Sequence, residues 1–105
     1  MLIDVRTRGF TATDSIQRHA RFRVSAALGR ISPQVTRVTV RLGDINGDHG
    51  GVDKLCRIVA KLRSLPTIVV ESVRANLYEA LDHAAQRLRR SIEHHLGRRK
   101  DLSHK

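Results

Sequence analysis

Three neighbouring stretches of this chain alternate apolar and polar residues, and together they dictate a sheet that buries only one face. Val38, Val40 and Leu42 interleave with Arg37, Thr39 and Arg41, and Cys56, Ile58, Ala60 and Leu62 interleave with Arg57, Lys61 and Arg63. Thr67 to Val73 is rich in β-branched residues. Successive side chains on a strand point to opposite faces, so each stretch has an apolar side and a polar or charged side. Val35 to Leu42, Leu55 to Arg63 and Thr67 to Val73 therefore read as strands. The turn-rich segment Gly43 to Val52 and the tight turn at Leu65-Pro66 join them as an antiparallel meander.

Two helices must cover the apolar side. Leu2 to Arg8 alternates as a first strand, with Ile3 and Val5 opposed to Asp4, Arg6 and Arg8, and Gly9 closes it. Thr13 or Asp14 can cap a helix running to about Arg30, with Ile16, Ala20, Val24 and Ala27 facing the core and Gly29 and Pro33 ending it. Asn76 can cap a last helix to about Arg99, whose apolar stripe is Leu77, Leu81, Ala84, Leu88 and Ile92. The order β-α-β-β-β-α implies an α+β fold, a four-stranded sheet with both helices packed on one face, similar in architecture to double-stranded-RNA-binding domains. A length of 105 residues suits one domain, expected over 1–100 with a tail at 101–105.

Charge then says what the uncovered surfaces face. Lys and Arg number 20 against 10 Asp and Glu, a formal net charge of +10. Arg outnumbers Lys sixteen to four, and guanidinium forks bind phosphate oxygens bidentately where ammonium groups do not. That balance suits nucleic acid or an anionic membrane surface rather than an acidic small-molecule pocket. On the last helix His83, Arg87, Arg90, His94 and Arg98 follow at steps of three and four, one stripe that the sequence places opposite the apolar one. Arg18 and Arg21 lie off the apolar stripe of the first helix and could widen this ridge, with Arg99 and Lys100 extending it. The two-helix surface is thus the expected RNA contact. Arg6, Arg8, Arg37, Arg41, Arg57, Lys61 and Arg63 gather on the open sheet face as a second one. A plain solvated surface is the alternative for each.

Other chemistries lack their residues. No apolar run approaches the roughly 18 residues of a membrane span, and Asp4 interrupts the only apolar stretch at the start, so neither membrane nor secretion is expected. The single Cys56 excludes an internal disulfide, fits a reducing cytoplasm and reads as a core filler. Asp44-x-Asn46-x-Asp48 imitates the start of a calcium loop, but its sixth position is His49 and its twelfth Leu55, so a turn explains it better. No nucleophile elbow, phosphate loop or paired carboxylates stand out, and neither enzyme activity, a metal, another cofactor nor a small-molecule substrate is expected.

Aromatic residues are limited to Phe10, Phe22 and Tyr78, too few for a base-stacking module. Phe22 is expected to pack against the second helix rather than stack on a base. Tyr78 is expected to pack near the helix start with its hydroxyl at the rim. Contact with RNA would therefore run through phosphates, by shape and charge.

The element order, the segment Leu77-Tyr78-Glu79-Ala80-Leu81-Asp82 opening the last helix and the basic Arg87 to Lys100 stretch resemble the ribosome hibernation promoting factor family, also called ribosome-associated inhibitor or sigma-54 modulation protein. The likeness runs from Leu2 to about Lys100. It implies a cytoplasmic factor that binds the small ribosomal subunit and its rRNA where messenger and transfer RNA sit, silencing translation in stressed or stationary cells. Three departures stand out: Arg where members usually carry Lys, a longer and more acidic loop at Gly43 to Gly51, and a chain that resembles the short form. Two other readings of the residues stay open, a general structured-RNA-binding module and an interaction module for an acidic protein partner.

Overall fold

The computed structural model describes residues 2–45 and 53–103, with side chains through residue 96. The elements follow the expected order: β1 (Leu2–Arg8), α1 (Asp14–Leu28), β2 (Val35–Asp44), β3 (Lys54–Leu62), β4 (Ile68–Arg74) and α2 (Leu77–Ser103). The four strands form one mixed sheet in the order β1-β2-β3-β4. β1 runs parallel to β2, as a strand returning through a helical crossover must, and the other two pairings are antiparallel.

The helix ends follow their local chemistry. The Thr13 hydroxyl accepts from the Ile16 amide at 3.2 Å, so Thr13 rather than Asp14 is the N-cap of α1. Gly29 ends that helix with φ +52, a conformation that disfavours any residue with a Cβ. A short 3-10 turn, Gly29–Gln34, holds Pro33 and leads into β2. The Asn76 side chain accepts from the Tyr78 amide at 2.7 Å and the Glu79 amide at 3.4 Å, opening α2. That helix continues to Ser103, past the expected end at Arg99, so the expected tail at 101–105 begins as helix.

Both helices lie on the same side of the sheet, as expected. α2 rests on β4 and β3, while α1 rests against α2 and reaches β1. The core between the layers combines Ile16, Ala20, Val24 and Leu28 of α1 with Leu81, Ala84, Leu88 and Ile92 of α2. Val38, Val40, Leu42, Ile58 and Ala60 supply the sheet side. Cys56 is buried among them, and burial pushes its thiol up to about 12, so it packs as an inert apolar group. Small residues at Ala20, Ala84 and Ala85, all buried, let the helices approach each other and the sheet.

The outer ends of the strands differ modestly from expectation. Gly43 and Asp44, placed in the loop by the sequence, continue β2 opposite Leu55 and Lys54. An ion pair stabilises this extension, with Lys54 Nζ 2.9 Å from Asp44 Oδ2 and 3.3 Å from the buried Asp53. Asp44 thus holds Lys54 across the hairpin, and Asn46, Asp48 and His49 lie outside the described residues.

Leu88 is fully buried where α2 meets the sheet. Leu88→Ala should lower unfolding free energy by about 2–5 kcal/mol, read from the midpoint of urea denaturation at unchanged slope.

Candidate nucleic-acid interface

The uncovered face of the sheet is ordered in rows by the strand register. In one row Arg6, Arg41 and Arg57 stand directly opposite one another on β1, β2 and β3, and Glu71 completes it on β4. The row on one side is Asp4, Thr39, Val59 and Val69, and the row on the other is Arg8, Gly43, Leu55 and Val73. Like charges directly opposite across strands repel, and only one carboxylate offsets them here. Arg57 Nη1 lies 3.2 Å from Glu71 Oε1, and at a neighbouring row Arg37 Nη2 lies 3.4 Å from Asp4 Oδ2. Lys61 pairs in register with Arg37 and adds to the same face. Arg63, expected to end the third strand, lies just beyond it, where its amide bonds the Gln34 carbonyl.

A second cationic surface begins at the β4 edge. Arg87 reaches down from α2 and donates from Nη1 to the Glu71 carbonyl at 2.9 Å. Glu71 therefore meets arginines on both sides, its side chain bonding Arg57 on the open face and its carbonyl bonding Arg87 at the edge. The sheet row and the α2 ridge join there into one bent surface. Arg90 and His94 are exposed farther along the same flank of α2.

The ridge is a flank rather than the far side of the helix. Steps of three and four from His83 keep residues on one face, but that face adjoins the buried stripe instead of opposing it. His83 shows the consequence: its Nδ1 lies 2.8 Å from the hydroxyl of buried Ser72 on β4. Desolvation lowers its pKa below the ordinary value of 6.5, with the positive charges of Arg74, Arg87 and Arg90 adding to the shift. His83 is thus a neutral anchor of α2 on the sheet, not a freely presented cation. Arg74 occupies the last position of β4, one residue past the expected strand end at Val73.

The first helix does not extend this ridge. Arg21 donates from Nη1 to the Ile3 carbonyl at 2.8 Å, over the β1 edge, on the opposite border of the sheet from Arg87. Arg18 is exposed on the outward side of α1. Between the helices runs a separate polar seam, in which Asp82 Oδ1 lies 2.7 Å from His19 Nε2 and 3.0 Å from Arg23 Nε. Above it Tyr78 bonds Ser15 at 2.8 Å and meets the His19 ring edge-on, matching the expected rim position of its hydroxyl. Arg21 of α1 and Arg87 of α2 therefore lie on opposite flanks, separated by this seam. Phe22 departs from expectation too: it is 69% exposed instead of packed against α2. Arg98, Arg99 and Lys100 lie on α2, but their side chains fall outside the described residues.

Fold and surface together define a class, small α+β domains that cover one sheet face with helices and leave the other cationic. The chain belongs to the sigma 54 modulation protein / S30EA ribosomal protein family, whose model matches residues 3–100. This is a family of ribosome-associated modulation factors, not one known for catalysis. Its fold is similar to that of a ribosomal subunit interface protein from Coxiella burnetii, with a TM-score of 0.78 at 11% identity over 92% of this chain and 99% of that one. It is also similar to the N-terminal domain of Protein Y from Thermus thermophilus, with a TM-score of 0.73 at 22% identity over 90% and 98% of the two chains. No curated protein matches the sequence significantly. Among the described residues, no helix is long and apolar enough to cross a membrane.

The neutral His83 ring gives a pH signature. Its depressed pKa contributes stability that is present above the unfolded value and is lost as the pH falls through the lower folded one. An NMR titration should show this ring protonating below 6.5, and replacing Arg87 and Arg90 with Ala should move that midpoint upward.

Proposed function

We propose that this protein is a cytoplasmic translation silencer that binds the small ribosomal subunit through rRNA phosphates and occupies the space of messenger and transfer RNA. The observation that carries the reading is the junction at Glu71, where the Arg6–Arg41–Arg57 row meets the α2 ridge. A bent cationic surface of this kind suits a folded RNA whose phosphates lie in more than one plane, and it reads shape rather than sequence. Family membership supplies the ribosome as the partner, and the solved relatives named for a subunit interface agree with it.

The geometry supports a division of roles among these residues. Arg41, Arg57, Arg87 and Arg90 make the central contacts, with Arg6, Arg8, Arg37, Lys61 and His94 around them. Arg18 and Arg21 form a smaller, separate contact at the β1 border. Arg98, Arg99 and Lys100 are candidates by their sequence position on α2 alone, and Arg63 is an outlying candidate just past β3. Inhibition requires no cofactor and no chemistry on the RNA: occupancy alone excludes the competing strands.

Co-sedimentation with separated ribosomal subunits at near-physiological salt, with duplex RNA as competitor, tests this directly. Saturable migration with the small subunit that survives the competitor is the expected result. Migration abolished by duplex RNA would instead make the protein a general structured-RNA binder, and absence of migration would leave an acidic protein as its partner. If about six phosphates are contacted, log affinity should fall with log salt at a slope of roughly −4 to −5. The double variant Arg87→Ala, Arg90→Ala should flatten that slope by about 1.4 to 1.8. Glu71→Gln releases Arg57 from its carboxylate and should steepen the slope by up to about 0.9.

A further inference from the structure

The open face holds a concavity that a merely cationic surface does not need. Gly43 stands in the row between Arg8 and Leu55, and the missing side chain leaves a basin of about 390 Å³ at that point. Small-molecule sites generally span about 300–1,000 Å³, so this one has room for a single small ligand. Arg6, Arg8, Arg41 and Arg57, from three different strands, line it. Gly43, Leu55 and Glu71 are also in its lining, with Glu71 at the β4 end of the arginine row. Charge, an apolar patch and an acceptor thus converge within one depression.

We propose that this basin binds a nucleoside polyphosphate. Arg6, Arg8 and Arg41 take the phosphate oxygens, which relieves the repulsion among guanidiniums aligned across the strands. The base lies over Gly43 and Leu55, where the absent Cβ permits close approach, and Glu71 accepts from the sugar hydroxyls or the base edge. A strand of RNA would be held by the row of charges alone, whereas a mononucleotide also uses Gly43 and Leu55. The two sources of phosphate therefore differ in their dependence on Gly43. The basin lies within the proposed RNA-contact face, so a bound nucleotide and rRNA would compete for Arg6, Arg8, Arg41 and Arg57, and nucleotide binding is read on the free protein.

Gly43 offers a clean probe of this difference. It lies in a strand with no positive φ, and a Cβ built on it meets only the Arg8 carbonyl oxygen, at 4.0 Å, which is ordinary contact. Gly43→Val fills the basin without changing charge, and valine favours a strand. Isothermal titration of the full chain, without ribosomes, would compare ATP, GTP, inorganic triphosphate and an unphosphorylated hexaribonucleotide as probes. We expect one ATP or GTP per chain, bound more tightly than inorganic triphosphate. Gly43→Val should weaken the nucleotides about tenfold or more, a loss of about 1.4 kcal/mol, and leave inorganic triphosphate and the hexaribonucleotide within about twofold. Arg41→Gln should weaken all phosphate probes, and Arg30→Gln, an equal loss of charge at an exposed residue away from the basin, should leave nucleotide binding unchanged. Thermal melts check that each variant is folded, and Arg41→Gln against Arg30→Gln decides the matter should Gly43→Val fail to fold. Equal losses in those two arginine variants, nucleotide binding indifferent to Gly43→Val in a folded protein, or no saturable nucleotide binding would each overturn the proposal.

Discussion

The register of β2 against both its neighbours is the constraint on which this molecule depends. One pairing is parallel and the other antiparallel, yet both bring residues of the same parity into line, so Val38, Val40 and Leu42 all face the helices. A slip of one residue on either side would turn arginines into the core and valines into water. The burial of the aliphatic core beneath two helices therefore enforces the alignment of Arg6, Arg41 and Arg57 on the opposite face, against their mutual repulsion. Cationic order on the outside is the reverse side of apolar order on the inside.

Much of the architecture could be read from periodicity alone, because the strands alternate cleanly and the caps at Thr13 and Asn76 are conventional. The number, type and order of elements, the mixed sheet and the placement of both helices on one face follow from short connections and the handedness of crossovers. The misreadings are local. Gly43 and Asp44 looked like a loop because glycine and aspartate disfavour strands, but the Lys54 ion pair extends the hairpin past them. Arg74 reflects a boundary of another kind: β4 ends one residue farther than the β-branched run suggests.

The surface was less legible than the core. Sequence spacing says that His83, Arg87, Arg90 and His94 share a face, but not what lies beside that face. Ser72 and the Glu71 carbonyl come from a strand, and their meeting with α2 depends on how the helix sits over the sheet edge. The same holds for Arg21, whose reach to Ile3 separates it from the α2 ridge. Phe22, on the far side of α1 from Ile16 and Ala20, is exposed rather than packed, and periodicity alone does not say which neighbour that side meets.

The two carbonyl contacts made by Arg21 and Arg87 have a further consequence for the company the molecule keeps. Ile3 and Glu71 lie on the two outer strands, and each has a carbonyl already bonded by a guanidinium from the overlying helix. A second copy adding itself as a fifth strand would have to displace that guanidinium and bring its own positive border alongside. Copies brought close together, even with their charges screened, are thereby kept from zipping sheet to sheet.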